Sequence, residues 1–413
     1  MTQRRVIIIG AGPAGLMAAG RSALAGAETL ILEKMKQPGR KLGITGKGRC
    51  NITNSTDVTD FIAHFGNTGP FLRQAFFRFF NTDLISFLED LGQELVTERG
   101  GRVFPASGKA TDIVKALEKW ALQCGAQFQF SSPVDTLIIK DGHIGGVVCK
   151  GKELSADAVI LATGGASYPL TGSTGDGYQL AESTGHRIVP IRPALVPLVT
   201  AGNIAGKMKE LNLRNIKVRM FVDGKKHKEA FGELTFTAFG LSGPVVLTLS
   251  RDAVDALDLG KQVEFSLDLK PALDEKKLDA RLIRDISSRG KEEMNSLLRG
   301  LMPGEMVPVC LELTQIPHDR KACELSAKER RQLRTWLKDF RLEVTRPRPI
   351  AEAIVTAGGI DTREIHPKTM ESKLTQGLFI AGELLDIQAD TGGYNLQAAF
   401  STGWIAGNAA ALG

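Results

Sequence analysis

The chain has few cysteines and no long apolar run. Its cysteines are scattered, odd in number and without a CxxC pair, which argues against a disulfide framework and against a cysteine metal site. This usage indicates a reducing cytoplasm. No apolar run approaches the ~20 residues that a spanning helix needs, so we expect no membrane partner. The cysteines are Cys50, Cys124, Cys149, Cys310 and Cys323.

Motifs for side-chain catalysis are also missing. None of the histidines stands in a pattern that demands a proton relay, and no Ser/His/Asp triad or metal-ligand cluster is legible. We therefore expect no metal. A second complete GxGxxG motif is absent too, so the sequence predicts no dedicated nicotinamide domain. The histidines are His64, His143, His186, His227, His318 and His366.

Length and composition indicate a globular protein of two or three domains. The 413 residues are 43% hydrophobic and 24% charged, with a formal net charge of +6 and a pI near 9.0. A mild positive charge spread over this length indicates a solvated surface. It does not exclude binding of an anionic ligand or of RNA. Basic residues concentrate only at 225–228 and 341–348, where we expect solvated turns or strand ends.

The first 33 residues organise the chain. An apolar β-branched run at 6–9 predicts a buried strand, glycines follow, 16–25 predicts a helix, and 29–32 predicts a second strand that ends at Glu33. This is a dinucleotide-binding fingerprint in its expected setting. Gly10 allows the tight turn, Gly12 lets a pyrophosphate approach, and Gly15 lets the helix pack on the strand. Glu33 is placed to accept hydrogen bonds from a ribose.

The pattern of predicted secondary structure changes twice along the remaining chain. Strands and helices continue to about residue 192, with a hairpin predicted at Asp141-Gly142 and a glycine loop after the strand at 158–162. Residues 193–349 show alternating strands, such as 263–269 with one wet face, and a helix opened by a capping box at Ser326. A strand, a glycine loop and an alanine-rich helix then follow after 350. The middle region is therefore interpreted as an insertion.

These segments together resemble a bacterial family of FAD-dependent oxidoreductases that includes aminoacetone oxidase and bile-acid-dehydroxylation flavoproteins. The resemblance rests on residues 10–15, 46–54, 162–165, 239–244 and 381–398. It implies an α/β fold: a Rossmann-like, three-layer ββα FAD-binding domain, split into 1–192 and 350–413. It also implies an inserted antiparallel β-barrel and helical domain at 193–349, on the substrate side.

The same resemblance implies the residues that hold FAD. Residues 10–15 and Glu33 would hold the ADP half, the backbone of Val134 would touch the adenine, the loop 40–51 would line the pyrophosphate and flavin, and the last segment would close over the ribityl chain and ring. The predicted cofactor-binding residues are Gly10, Ala11, Gly12, Pro13, Ala14, Gly15, Glu33, Lys34, Arg40, Lys41, Thr45, Gly46, Gly48, Arg49, Cys50, Asn51, Val134, Thr163, Gly164, Gly165, Gly382, Glu383, Asp386, Gly392, Gly393, Tyr394, Asn395, Leu396 and Gln397.

Two positions depart from the family pattern, and catalytic side chains stay unassigned. Ala238 stands where relatives often carry histidine, and Ala389 where they often carry glycine, which suggests an altered backbone near the flavin. Glu383 is a candidate general base, or it hydrogen-bonds the ribityl chain. His366 either faces the flavin or lies in a surface loop. Tyr394 either covers the flavin or is a packing residue. Cys50 is interpreted as a small loop residue rather than a catalytic thiol.

Hydride transfer through FAD is the predicted chemistry. A donor reduces the flavin, and an acceptor, either oxygen or an unsaturated organic molecule, reoxidises it. The substrate is expected to be a small molecule, with NADH or NADPH at most a transient donor. Two alternatives stay open: a flavoprotein that modifies RNA, which requires a clustered basic face, and a non-catalytic flavin sensor. Nothing in the sequence indicates an oligomeric state.

Overall fold

A computed structural model describes residues 3–413. It divides into two compact units, which we describe separately. One unit combines the chain up to Pro193 with Ile350–Gly413, and the other is Ala194–Pro349.

The strands run through both units. In chain order they are β1 (Arg5–Ile9), β2 (Glu28–Leu32), β3 (Thr53–Asn54), β4 (Leu95–Thr97), β5 (Arg102–Pro105), β6 (Gln127–Gln129), β7 (Val134–Lys140), β8 (His143–Cys149), β9 (Lys152–Ser155), β10 (Ala158–Leu161), β11 (Ile188–Ala194), β12 (Leu198–Thr200), β13 (Asn212–Val222), β14 (Lys225–Thr237), β15 (Gly240–Ser242), β16 (Val263–Asp268), β17 (Phe340–Pro347), β18 (Val355–Ile360) and β19 (Leu378–Ile380).

The helices are numbered in the same way. They are α1 (Pro13–Leu24), α2 (Val58–Ala63), α3 (Gly69–Arg78), α4 (Asn81–Asp90), α5 (Ala110–Gln123), α6 (Asp176–Glu182), α7 (Pro244–Asp258), α8 (Glu275–Ser288), α9 (Met294–Leu298), α10 (Met306–Thr314), α11 (Ala327–Lys338) and α12 (Tyr394–Leu412).

A parallel sheet is the centre of the first unit. Its strand order is β19-β10-β1-β2-β6, and every neighbouring pair is parallel. Helices α1, α5 and α12 pack together, and the antiparallel sheet β7-β8-β9 contacts β10 through β8. The chain leaves β1 toward β2 and later returns on its other side at β10, so the carboxyl end of β1 is the switch point at which ligands of such sheets bind.

The C-terminal segment completes this unit. β19 extends the sheet beside β10, and α12 packs along α1. The two helix axes approach closely because Gly403 and Gly407 carry no side chain: a Cβ atom there would lie 2.2 Å from the Ala14 carbonyl oxygen and 2.3 Å from that of Ala18. The predicted fold class, a Rossmann-like domain split in sequence, is confirmed.

An aromatic layer joins α12 to its neighbours. The Trp404 ring stacks on Phe79 with centroids 4.4 Å apart and lies parallel to Trp120 at 6.4 Å. The guanidinium of Arg21 on α1 lies 4.8 Å from the Trp404 ring. These contacts fix the middle of α12 against α1, α3 and α5. They thereby also fix the position of the N-terminus of α12.

The second unit contains the predicted barrel. β12-β15-β14-β13-β16-β17 form a closed antiparallel barrel, accompanied by helices α7 to α11. The prediction that one face of β16 is exposed to solvent is wrong, because Ser266 and Asp268 are buried. The Asp268 carboxylate lies 2.7 Å from the Lys338 ammonium and 3.2 Å from the Arg219 guanidinium. Charge pairing within the unit, rather than water, therefore accounts for these polar residues.

Candidate flavin site

The fingerprint loop lies at the carboxyl end of β1. Gly10 has φ +100°, and a Cβ there would lie 2.6 Å from the Ala162 carbonyl oxygen. A Cβ on Gly15 would lie 1.9 Å from the Gly10 oxygen, so helix α1 can begin this close to the strand only with glycine. Gly12, by contrast, has no atom within 4 Å of its Cβ position. That open space beside the N-terminus of α1, with Pro13 and Ala14 in its first turn, suits an anion.

Glu33 fixes the turn from the second strand. Its two carboxylate oxygens accept hydrogen bonds from the backbone N–H groups of Ala11 and Met35, each at 2.7 Å. Burial raises the pKa of this carboxyl, and the two backbone donors oppose that rise. Each oxygen keeps lone pairs for a further donor such as a ribose hydroxyl.

The backbone after β2 is hydrogen-bonded to the segment that leads into β7, where the residue predicted to contact the adenine lies. Glu33 donates its N–H to the Gln129 carbonyl, and Ser132 donates to the Glu33 carbonyl at 2.9 Å, which brings Val134 at the start of β7 close by. The Lys34 ammonium binds Asp176 at 2.7 Å and Thr174 at 2.6 Å. Lys34 is thus held by the start of α6.

The loop after residue 39 is attached to the fingerprint. Gly39 donates its N–H to the Ala11 carbonyl at 2.8 Å. Residues Leu42–Gly48 form two short 3₁₀ turns interrupted at Thr45, Gly46 and Lys47. Cys50, in this loop, has no solvent exposure, and burial raises the pKa of its thiol to about 12. It is therefore a protonated packing residue at neutral pH.

Of the basic residues in the loop predicted to line the pyrophosphate and flavin, Lys41 and Arg49 form ion pairs. The Lys41 ammonium lies 2.7 Å from the Glu383 carboxylate and 2.7 Å from the Ser167 hydroxyl. The Arg49 guanidinium pairs with Glu98 and lies 4.4 Å from the Phe104 ring. Arg40 is exposed. The expectation for Lys41 missed this pairing because the partner comes from the other end of the chain.

Glu383 is the centre of a partly buried polar network. Its Oε1 accepts from the Thr356 N–H at 2.9 Å, and the Lys41 ammonium lies on the same carboxylate. The Thr356 hydroxyl also accepts a hydrogen bond from the Ala166 N–H, and a Cβ on Gly165 would lie 2.3 Å from that hydroxyl. The loop Thr163, Gly164, Gly165 is therefore tied to β18. This arrangement favours a structural hydrogen-bonding role for Glu383 over a free base.

Several buried polar atoms have no partner in residues 3–413. In the unit that carries the predicted cofactor segments they include Asn51 Oδ1, Asp176 Oδ1, Tyr178 Oη, Asp386 Oδ1 and Gln388 Oε1. Burial raises the pKa of the Asp386 carboxyl and of the Tyr178 hydroxyl. Unsatisfied buried polar groups are rare in native proteins and call for a ligand or water. They fit a polar, hydroxyl-rich group such as the ribityl chain of FAD.

The N-terminus of α12 packs on β3. Gly393 has φ +99°, and a Cβ there would lie 2.4 Å from the Thr53 backbone. The Gln397 amide accepts a hydrogen bond from the Thr53 hydroxyl at 2.7 Å, which attaches the helix to β3. Helix α12 begins at Tyr394. The backbone N–H groups of Tyr394, Asn395 and Leu396 are thus in the first turn of a helix, where an anion is stabilised.

The loop before α12 tolerates its alanine. Asn395 accepts from the Ala389 N–H at 2.8 Å and donates to the Ala389 carbonyl at 3.0 Å. Ala389 is buried and has no positive φ, so this position does not require glycine. Gly382, on the other side, donates its N–H to the Thr402 hydroxyl of α12.

The weak catalytic candidates fall in different surroundings. His366 is exposed in the turn at 366–370, where its N–H binds the Glu371 carbonyl. Tyr394 is buried, and its ring stacks on His64 with centroids 3.9 Å apart. His64 was not singled out from the sequence, since only the fold brings it beside Tyr394. Ser167 and Thr356 were missed for the same reason.

Comparison with known proteins identifies the family. Residues 4–409 match the HI0933-like protein Rossmann domain. The chain belongs to the HI0933-like family. It is 33% identical to a 3-dehydro-bile acid delta(4,6)-reductase of Clostridium scindens, over 98% of this chain and 99% of that protein. It is 30% identical to the ribosomal RNA dihydrouridine synthase of Escherichia coli, over 96% of each.

A solved structure shares the fold of this HI0933-like chain. The 3-ketosteroid delta1-dehydrogenase from Sterolibacterium denitrificans aligns over 100% of both chains with a TM-score of 0.55 and 13% identity. The predicted family and enzyme class, a FAD-dependent oxidoreductase, are confirmed. Within residues 3–413 no helix has the length and apolar character of a membrane span, and no group of three His, Cys, Asp or Glu side chains is arranged for a metal.

Proposed function

We propose that this FAD-dependent oxidoreductase reduces a carbon–carbon double bond conjugated to a carbonyl group. The observation that carries the proposal is the chemistry shared by two relatives matched over nearly the whole chain. A 3-dehydro delta(4,6) steroid acid has double bonds conjugated to a ring ketone, and uridine has a ring double bond conjugated to its C4 carbonyl. Both names describe addition of two hydrogens to such a bond.

The predicted FAD-binding residues have distinct roles in this proposal. The glycine turn at 10–15 and Glu33 hold the adenosine diphosphate half, and the buried unpaired oxygens of Asn51 and Asp386 receive hydroxyl groups. Bound FAD supplies the hydride. The first turn of α12 presents N–H groups and a positive helix end, which stabilise the negative charge that reduction creates. The Lys41–Glu383 pair fixes the loop at 40–51 against β18 and the 382–384 turn.

A small-molecule acceptor agrees better with the charge distribution than RNA does. Three side chains of the basic segments noted in the sequence are paired with acids. The ammonium groups of Lys226 and Lys228 lie 2.7 Å and 2.9 Å from Glu229 and Asp252. Arg341 lies between Asp339 and Glu264, at 3.0 Å and 3.3 Å. Such pairing removes much of the positive field that non-specific RNA binding uses. We therefore infer that the acceptor is a small cyclic enone.

RNA is the second candidate, because the Escherichia coli relative and the Haemophilus influenzae ribosomal RNA dihydrouridine synthase, 31% identical over 96% of each chain, act on it. The same reduction applied to uridine gives dihydrouridine. This candidate predicts binding to ribosomal RNA that weakens steeply with salt.

The test is an anaerobic acceptor screen. The purified protein is examined for a flavin spectrum, reduced with NADH, NADPH or dithionite, and mixed with cyclohex-2-enone, 4-androstene-3,17-dione, uridine or a ribosomal RNA transcript. We expect reoxidation of the flavin by an enone and a product two mass units heavier. Reoxidation by RNA alone would establish the second candidate. A bound flavin that no organic acceptor reoxidises would contradict the proposal and favour a sensor.

A further inference from the structure

A histidine and a carboxylate meet beside the N-terminus of α12. His64 Nδ1 lies 3.1 Å from Asp390 Oδ2, although the two residues are 326 positions apart in the sequence. The His64 ring lies nearly flat on the Tyr394 ring, with an interplanar angle of 22°. Tyr394 is the first residue of α12, so this pair adjoins the segment that we propose covers the flavin.

The surroundings hold the imidazole in one orientation. The Tyr394 ring packs edge-on against Phe61 with centroids 4.7 Å apart, which fixes the surface on which His64 lies. Asn395 donates a hydrogen bond to the Asp390 carbonyl at 3.3 Å, which fixes the backbone that carries the carboxylate. A carboxylate at Nδ1 sets the tautomer and the orientation of the ring.

The second nitrogen of the ring is available. Nε2 makes no hydrogen bond within residues 3–413, and about a third of the His64 side chain is exposed, at 35%. The ring can therefore exchange its proton with water. The charged or titratable groups around it are Asp390 from the loop before α12, Tyr394 from α12, and Asp60 one helical turn earlier on α2.

We propose that His64, oriented by Asp390, donates the proton that completes reduction of the double bond, an inference that rests on the function proposed above. The carbon β to the carbonyl receives hydride from the reduced cofactor, and the α carbon receives the proton from His64 Nε2. The double bond becomes a single bond, the cofactor is oxidised, and the neutral imidazole regains its proton from water. A hydride donor such as NADH or NADPH restores the reduced cofactor. Asp390 is the positioning residue.

The test separates the two half-reactions. Wild type, His64→Gln, His64→Ala, Asp390→Asn, Asp386→Asn and the control His143→Gln are loaded with FAD, reduced anaerobically, and mixed with the enone in a stopped-flow instrument from pH 5 to 9. His143 is an exposed histidine of β8 whose ring lies at hydrogen-bond distance from the Asp141 carbonyl oxygen. The dissociation constant for FAD and the rate of reduction by dithionite are measured for each protein.

We expect His64→Gln to slow reoxidation by the enone about 100-fold and to abolish the decline of that rate with rising pH, since general-acid catalysis contributes 10²–10⁴-fold. We expect Asp390→Asn to slow reoxidation by the enone about 10-fold. The dissociation constant for FAD and the dithionite rate stay within twofold of wild type. Added imidazole restores a fraction of the rate in His64→Ala.

Specific results overturn the inference. If His64→Gln reoxidises at the wild-type rate with the wild-type pH dependence, His64 is not the donor. If Asp386→Asn removes the pH dependence instead, the buried Asp386 is the donor. A loss of FAD affinity in both His64→Gln and Asp390→Asn, without imidazole rescue, shows a structural role. If wild-type protein reacts with no enone, the proposed function fails, and this outcome is distinct from all of the others.

Discussion

Replacing Gly403 with alanine tests the contact that attaches the C-terminal helix to the first one. The new Cβ would lie 2.2 Å from the Ala14 carbonyl oxygen and 2.9 Å from the carbon that carries it. Because both atoms belong to backbone inside α1, no rotamer change relieves the overlap. The helices must separate by about 1 Å, and a gap of that size forfeits a quarter to a half of each dispersion contact.

The magnitude follows from two opposing effects. Overpacking of this kind destabilises by about 3 kcal/mol, and the better helix propensity of alanine returns about 1 kcal/mol. We therefore expect the free energy of unfolding to fall by about 2 kcal/mol. With a urea slope of roughly 3 kcal/mol/M, the midpoint falls by roughly 0.7 M. The measurement is urea denaturation of the apoprotein, monitored by tryptophan fluorescence, because Trp404 lies in α12 and stacks on Phe79.

A matched control separates overlap from backbone effects. Gly304 has no atom within 4 Å of its Cβ position and no positive φ, so Gly304→Ala is expected to leave stability unchanged or raise it by up to about 1 kcal/mol. If Gly403→Ala is as stable as wild type, the close approach of α1 and α12 is wrong, and the argument that the two ends of the chain form one cradle loses its main contact.

Further predictions concern charge and reactivity. Lys41→Met leaves the partly buried Glu383 carboxylate without its cation, and we expect FAD affinity in equilibrium dialysis to fall at least 10-fold; unchanged affinity would show that the pair does not position the loop. Burial raises the pKa of the Asp386 carboxyl, so as pH rises the unfolded state loses this proton before the folded state does, and the free energy of unfolding falls between the ordinary pKa of aspartate and the raised pKa of the folded state. Asp386→Asn should reduce that fall in urea titrations of the apoprotein at a series of pH values. A pH profile identical to that of wild type would contradict the assignment. Iodoacetamide at pH 8 should modify the exposed Cys323 in the native protein and spare Cys50, whose pKa burial raises to about 12; rapid labelling of Cys50, located by peptide mass spectrometry, would refute its burial.

Local patterns carried the parts of the fold that the sequence could predict. The hairpin at Asp141-Gly142 and the capping box at Ser326 are confirmed, since turn and cap chemistry act over a few residues. The fingerprint turn is likewise local. The alternation in 263–269 was misread as a wet face, because Ser266 and Asp268 face charged partners on distant segments.

Site residues joined by long-range contacts escaped sequence reasoning. Lys41 was predicted to bind FAD as part of the loop 40–51, but its contact with Glu383, 342 positions away, was not predicted. His64 had no motif at all, and only the packing of Tyr394 on α2 brings it to Asp390. Neither pairing follows from spacing or composition, since both depend on where the segment after β18 packs.

The position of β19 and α12 has a consequence for synthesis on the ribosome. β1 and β10 are synthesised well before β19 and α12, so the edge of β10 that receives β19 and the surface of α1 that receives α12 stay uncovered until those two elements leave the ribosome. Until then Ile7 and Ile8 lie in a partly assembled domain. The nascent chain therefore presents an unpaired strand edge and an uncovered helix, which are the features that chaperones bind and that promote aggregation.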